Sequence, residues 1–343
     1  MNRRAVVWVA VLALAGCFPT AGRPPEGVAD KPSGEENQEP PPERKRDEFA
    51  SDRGGGGQPP APVSFDADRA MDYLKEVCKI GPRISGTDGM KKQQELLRKH
   101  FEAHGATVTL QEFTARQNSQ RPKPVPMANL IASWHPDRQR RVIICSHYDT
   151  RPIADQEPNR RDWTKPFISA NDGGSGVAFL MELAHHVKGL KAQVGVDFVL
   201  FDGEEYIFEP DHDKYFFGSE HFAGVYRSER GKKRYLGAVL LDMIAGKGAR
   251  FPVEQNSWLK AGGLVQDLWR IAGDQKCRAF VNDMQSAVLD DHIALNAAGI
   301  PTVDLIDFSY RHWHRLSDVP ENCSGEGMEQ VARVVTVWLQ RAK

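Results

Sequence analysis

The chain has 343 residues, 40% of them hydrophobic, with 45 basic and 46 acidic side chains. That length allows one large domain or two small ones. The charge balance gives no sign of a nucleic-acid-binding surface.

The first seventeen residues, "MNRRAVVWVAVLALAGC", place two arginines before an apolar run over 5–16. The run is short of the roughly 20 residues a spanning helix needs, so it reads as a cleaved export signal. "LAGC" resembles a bacterial lipoprotein cleavage box. The resemblance implies cleavage before Cys17 and lipid on its sulfur, giving an anchor that does not span the membrane. An ordinary secretory signal with a chance cysteine is the alternative. Phe18 stands where an aspartate often marks inner-membrane retention, so the expected address is the cell envelope, periplasmic or at the outer-membrane surface.

Residues 17–63 hold "EPPPERKRDE" and "RGGGGQPPAP". Proline, glycine and mixed charge without apolar periodicity bury no core, so this segment reads as a disordered tether. Residues 64–343 are then a single catalytic domain. They contain Cys78, Cys145, Cys277 and Cys323, whose spacing fixes no disulfide pairing. Cys145 lies inside an apolar run and reads as a buried thiol.

Within this domain, residues 66–81 and 89–105 have helical apolar spacing, and each ends at glycine. Residues 106–115, 127–134 and 140–149 read as strands. Residues 173–190 form a helix entered through glycines. "GVDFVLFDGEE" and "YLGAVLLDMIAG" are buried strands, with helices expected over 218–229 and 262–274. A strand over 299–308 and a helix over 325–343 close the chain. This alternation predicts a three-layer α/β/α sandwich around a mostly parallel mixed sheet. No P-loop or dinucleotide-binding glycine pattern appears.

The strand tips carry the chemistry. His147 follows "VIICS", Asp172 enters the glycine-led helix, Glu204 and Glu205 follow "FVLF", Asp242 follows "AVLL", and His314 sits in the last loop. Ligands of open α/β sheets sit beyond the carboxyl ends of the strands, and imidazole with carboxylate suits zinc. His104, His135, His185, His186, His212 and His221 read instead as surface or helix residues without ligand roles. His292 reads as holding its loop, and Asp202 as supporting its strand tip.

"SHYDT", "NDGGSGVAFLMELA", "DGEE", "GSEHFA" and "LLDM" resemble the zinc peptidases of the M28 aminopeptidase clan, over nearly the whole folded part. The resemblance assigns His147, Asp172, Glu205, Asp242 and His314 to the clan's five metal positions and Glu204 to its general base. The clan's aminopeptidases use two zincs and a water. Its glutaminyl cyclases use one zinc to close an N-terminal glutamine into pyroglutamate. "DDHIALNAAGIPTVDLI" and "HWHRLSDVPENC" resemble the cyclases, which implies one zinc on Asp172, Glu205 and His314. It also implies a proton shared between Asp242 and Asp290, and Trp313 as a pocket wall; a helix cap and plain core packing are the simpler roles for Asp290 and Trp313. His147 is then a neighbour of the metal rather than a ligand. If the chain were an aminopeptidase, His147 and Asp242 would hold a second zinc. Several features depart from the animal cyclases. Pro210 stands at the equal-spacing position of a tryptophan, Ser146 replaces a cysteine, and Phe308 and Tyr310 are both candidates for a pocket phenylalanine.

These features point to a zinc glutaminyl-peptide cyclotransferase, acting as a monomer on peptide or protein N-termini and anchored to a membrane through Cys17. A two-zinc aminopeptidase and a metal-stabilised surface binding protein are the alternatives. The intact Glu204 speaks against the last, because a structural metal needs no base.

Overall fold

The computed structural model describes residues 60–343, apart from 121–122 and 230. The expected signal peptide (1–16), Cys17 and nearly all of the expected tether (17–63) lie outside the described residues.

Two helices, α1 (Ala67–Cys78) and α2 (Asp88–Ala103), lead into the sheet strands β1 (Thr107–Ala115), β2 (Val125–Trp134) and β3 (Arg140–His147). Helix α3 (Ser175–Val187), strand β4 (Gly195–Phe201), helix α4 (Phe217–Ser228) and strand β5 (Arg234–Asp242) follow. A short strand β6 (Phe251–Glu254), helix α5 (Gln255–Asp274), strand β7 (Phe280–Gln285), helix α6 (His292–Ala297), strand β8 (Thr302–Ile306) and helix α7 (Gly325–Arg341) complete the chain. The main sheet has the order β1-β2-β4-β3-β5-β8. Strands β4, β3, β5 and β8 pair in parallel, while β1 and β2 add on antiparallel.

The parallel strands are apolar on both sides because helices cover both faces. Val142 and Ile144 of β3 face the larger core, with α1, α2, α3, α5 and α7. Ile143 and Cys145 alternate to the opposite face, where Phe222 of α4 and Leu295 of α6 cover them. This is the expected three-layer sandwich. Asp197 inside β4 is an exception to the apolar run. It forms a fully buried pair with Arg141 at 2.5 Å and accepts from Ser133 Oγ and Tyr235 OH, so it is structural.

Two features differ from expectation. Strands β6 and β7 form a separate two-stranded parallel sheet beside the main one. Helix α5 begins seven residues before the segment read as helical and kinks at Ala261, whose backbone is non-helical (φ −133°, ψ 34°). All four cysteines of the folded part are free and buried. Among the described residues, no helix is long and apolar enough to cross a membrane.

Candidate metal centre

Parallel strands place their carboxyl ends at one edge of the sheet, and the polar residues expected at the strand tips converge there. His147 Nε2 lies 3.1 Å from Asp172 Oδ1 and 3.4 Å from Asp242 Oδ1. His314 Nε2 lies 2.6 Å from Glu205 Oε1 and 3.6 Å from Asp172 Oδ2. His147, Asp172 and Glu205 each offer one ligand atom within 4.8 Å of the others. His147 is therefore inside the cluster, closer in than the cyclase resemblance implies.

The backbone of the ligand-bearing turns is bent to deliver these groups. Gly173 follows Asp172 with φ +71°, and a Cβ there would come within 2.5 Å of the Asp149 carbonyl and 2.9 Å of His147 Cε1. Gly203 precedes the glutamate pair with φ +76°, against the Met127 sulfur. His314 (φ 52°) and Met243 (φ 49°), the residue after Asp242, also adopt the left-handed region. Such non-glycine residues cost about 1–3 kcal/mol each and persist only where surrounding contacts hold them.

Those contacts come from carboxylates that the sequence reading left without a role. Asp149, fully buried, accepts the backbone N–H of Glu204 (3.1 Å) on one oxygen and that of Glu205 (3.0 Å) on the other. Asp318 does the same for Asn171 (2.9 Å) and Asp172 (3.1 Å), and accepts from Tyr310 OH as well. Asp155 Oδ1 lies 2.9 Å from His314 Nδ1 and holds that ring with Nε2 toward Glu205. Arg151 forks onto both oxygens of Asp155 (3.0 and 3.1 Å) and reaches Glu205 Oε1 at 3.4 Å. Partners of this kind fix a ligand's orientation and tune its basicity. Only the short spacings, Asp149 two residues after His147 and Asp155 four after Arg151, hinted at them.

The remaining expected residues are also at this edge. Trp313 stacks on His314, with ring centroids 4.0 Å apart and planes 29° apart, and Phe308 packs on Trp313 at 4.9 Å. Tyr310 is buried and tied to Asp318, so Phe308 is the aromatic that faces outward beside the tryptophan. Asp290 is buried, and its Oδ1 accepts the N–H of Asp291 at 2.5 Å. Asp202 is occupied away from the cluster, accepting from Ser85 Oγ (2.6 Å) and Ala128 N (2.9 Å). His292, expected to hold its loop, lies 3.3 Å from Glu254 and 3.7 Å from Asp304, and both its nitrogens are buried without a hydrogen-bond partner among the described residues; with Asp290 and Asp304 it forms a second buried group of candidate ligands.

Acids outnumber bases here, and their ionisation shows it. Burial, then the Glu205 charge, push Asp172 up to about 7 against the pull of His147. Burial and Glu205 also push Glu204 well above its ordinary value. Burial and the Asp242 charge raise Asp290 to about 7. Burial disfavours the Glu205 carboxylate, but His314 and Arg151 outweigh it and hold Glu205 well below the usual range. Both His147 nitrogens, Asp172 Oδ2, Glu205 Oε2 and Asp242 Oδ1 are buried without a hydrogen-bond partner among the described residues. Buried polar atoms are almost always partnered. One atom each of His147, Asp172 and Glu205 comes within 4.8 Å of the others, and unpartnered imidazole nitrogen and carboxylate oxygens gathered in this way suit a zinc ion. The residues present therefore fit the metal.

The profile of peptidase family M28 matches residues 129–339, from the middle of β2 to the last turn of α7. The chain belongs to this family. It is 55% identical to a glutaminyl cyclase of Fimbriiglobus ruber of known structure, with TM-score 0.82, over 84% of this chain and all of that one. It is 25% identical over 281 residues to a glutaminyl-peptide cyclotransferase-like protein of Mus musculus, covering 75% of this chain and 70% of that protein. A leucine aminopeptidase precursor of Bacteroides thetaiotaomicron, 28% identical over 82% of this chain and 99% of its own, has TM-score 0.75.

Proposed function

We propose that this M28 protein is a glutaminyl-peptide cyclotransferase, closing the N-terminal glutamine of peptides or proteins into pyroglutamate with release of ammonia. The similarity that carries this reading is the 55% identity to the Fimbriiglobus ruber glutaminyl cyclase across the whole of its solved chain. The geometry supports it through Trp313 stacked on His314 and a buried Asp290 beside Asp242.

In this reading Asp172, Glu205 and His314 hold one zinc. When bound, the ion supplies a Lewis acid to the side-chain amide carbonyl of the glutamine. Glu204 takes a proton from the terminal amine as its nitrogen bonds to the amide carbon, then delivers that proton to the departing ammonia. Its carboxylate suits the task because burial and the Glu205 charge raise its proton affinity, while its side chain stays 12% exposed and reachable. Amine and amide belong to one residue, so positioning supplies much of the acceleration. Asp242 and Asp290, sharing a proton, hold the substrate nitrogens by hydrogen bonds. Trp313, with Phe308 behind it, walls the site against water, which would otherwise favour hydrolysis.

The N-terminal sequence supports reading residues 1–16 as a signal peptide, Cys17 as the lipid-bearing residue and 17–63 as a tether. The enzyme then works as a monomer at the cell envelope. The mass of the mature N-terminal peptide tests the lipid. A two-zinc aminopeptidase is the second reading, favoured by His147 Nε2 lying close to both Asp172 and Asp242.

Mass spectrometry of two short peptides incubated with the zinc-loaded chain separates the two. Loss of ammonia from a glutamine-first peptide, with a leucine-first peptide untouched, is the expected result. Removal of the leucine residue instead would overturn the cyclase reading.

A further inference from the structure

Away from the strand tips, α2 and α3 bring three histidines together at the surface. His100 lies in the last turn of α2, and His104 is the residue that caps it. The four-residue spacing puts both on one face. His185 lies in the last turn of α3. Ring centroids are 4.4 Å apart for His100 and His104, 4.1 Å for His104 and His185, and 5.8 Å for His100 and His185. One ligand nitrogen from each ring lies within 4.8 Å of those of the other two. His185 is exposed and the other two half-buried, so the cluster is open to solvent.

Each ring is also oriented from outside. His100 Nε2 is 2.8 Å from the Met181 carbonyl, and His104 Nδ1 is 2.8 Å from the His100 carbonyl. A carbonyl only accepts, so those nitrogens carry the protons and each neutral ring keeps a lone pair on its other nitrogen. His185 Nε2 is 2.7 Å from Tyr73 OH. Metal-binding histidines are held in this way, with one nitrogen on an outer partner and the other on the ion. Burial, opposed by the Met181 carbonyl and reinforced by the neighbouring rings, holds His100 down to about 4, and burial lowers His185 as well. Both are therefore neutral near pH 7, which is the ligand form. The nearby carboxylate, Glu182, is taken up by Arg69 (2.6 Å) and His186 (3.2 Å).

We propose that His100, His104 and His185 form a second metal site. It takes one divalent ion of the zinc, copper or nickel class through three imidazole nitrogens, with water completing the shell. Imidazole selects these ions over magnesium or calcium, and three histidines with an open position is an established zinc ligand set. The site is distinct from the strand-tip centre. Asp172 precedes α3 while His185 lies in its last turn, and ten residues of helix separate Ser175 from His185, about 15 Å. The ion would tie α2 to α3, acting as a staple that stabilises the fold rather than as a catalyst. None of this depends on which reaction the strand-tip centre performs.

Equilibrium dialysis of the full chain against micromolar zinc, with metal counted by inductively coupled plasma mass spectrometry, tests the site. His104→Gln and His185→Gln should each hold one zinc per chain fewer than the parent, with the activity of the strand-tip centre unchanged. Tyr73→Phe should keep the parent stoichiometry at saturation but bind that zinc roughly 10-fold more weakly, because it removes only an outer partner. Circular dichroism reports whether each variant folds. His185 is exposed and carries the least packing, so His185→Gln decides the matter if His104→Gln is unfolded. Equal zinc content in the parent and in folded His185→Gln would overturn the proposal, leaving the cluster as stacked surface rings.

Discussion

Asp149 is itself no expected ligand, yet its two oxygens hold the backbone of Glu204 and Glu205. We predict that Asp149→Asn cripples the reaction while leaving the fold intact. The amide keeps one oxygen for one of the two N–H groups. It presents an NH2 to the other, so one charge-assisted hydrogen bond is lost, worth about 1.5–3 kcal/mol, and a buried donor is left unpartnered. The turn that carries the glutamates is then free to shift. A general base must sit within hydrogen-bond reach of its proton, and a displacement of about 1 Å can cost 100-fold. If 1.4–2.8 kcal/mol of the lost interaction is expressed in the transition state, kcat/KM falls by roughly 10- to 100-fold. Ammonia release from a glutamine-first peptide over a range of concentrations gives kcat and KM separately, and circular dichroism checks folding. A folded variant with kcat/KM within twofold of the parent would refute the idea that Asp149 positions the pair.

Three other substitutions probe different parts of the site and its surroundings. Glu204→Gln should lower kcat by about 10²- to 10⁴-fold, the usual weight of a general base, with zinc content unchanged because Glu205 is the proposed ligand; lost zinc would reverse the two roles. Asp290→Ser, in a His185→Gln background so that the surface site does not contribute, should raise zinc toward two per chain if Asp290 withholds Asp242; unchanged metal content would detach Asp290 from that role. Glu254 caps α5 by accepting from Asn256 N (2.9 Å) and Ser257 N (2.6 Å), and it also accepts from Val288 N (2.8 Å). Burial opposes its charge, but His292 and those N–H groups hold it at about 2, against an ordinary value of 4.5. Its folded pKa is depressed, so its contribution to stability is present above pH 4.5 and is lost as pH falls toward 2. The Tm of the parent should therefore drop more steeply than that of Glu254→Gln across that window, and parallel curves would remove Glu254 as the cause.

The parts of this molecule legible in sequence are those where residue type and burial coincide. Strands β3, β4 and β5 are almost wholly buried, so they read as apolar runs, and their ends were located to within a few residues. Strand β7 escaped because "FVNDMQ" is mostly exposed and takes its strand conformation from pairing with β6, not from its own pattern. The same logic separates acids that face the strand-tip cluster from supporting ones. Asp202 and Asp242 both end a buried strand after an apolar run, and in sequence they are equivalent. In space Asp202 spends its oxygens on Ser85 and Ala128, whereas Asp242 Oδ1 is buried with no hydrogen-bond partner among the described residues, 3.4 Å from His147. Asp318 reaches back 147 positions to the Asn171 N–H, a partner no local pattern announces. A carboxylate that holds backbone and one left open toward the strand-tip cluster are the same residue type. They differ in which donors the fold leaves for them, and that depends on contacts between elements distant in the chain. Sequence can therefore nominate the acids at a strand-tip site, while the division of labour among them appears only once every backbone N–H around the site has been assigned an acceptor.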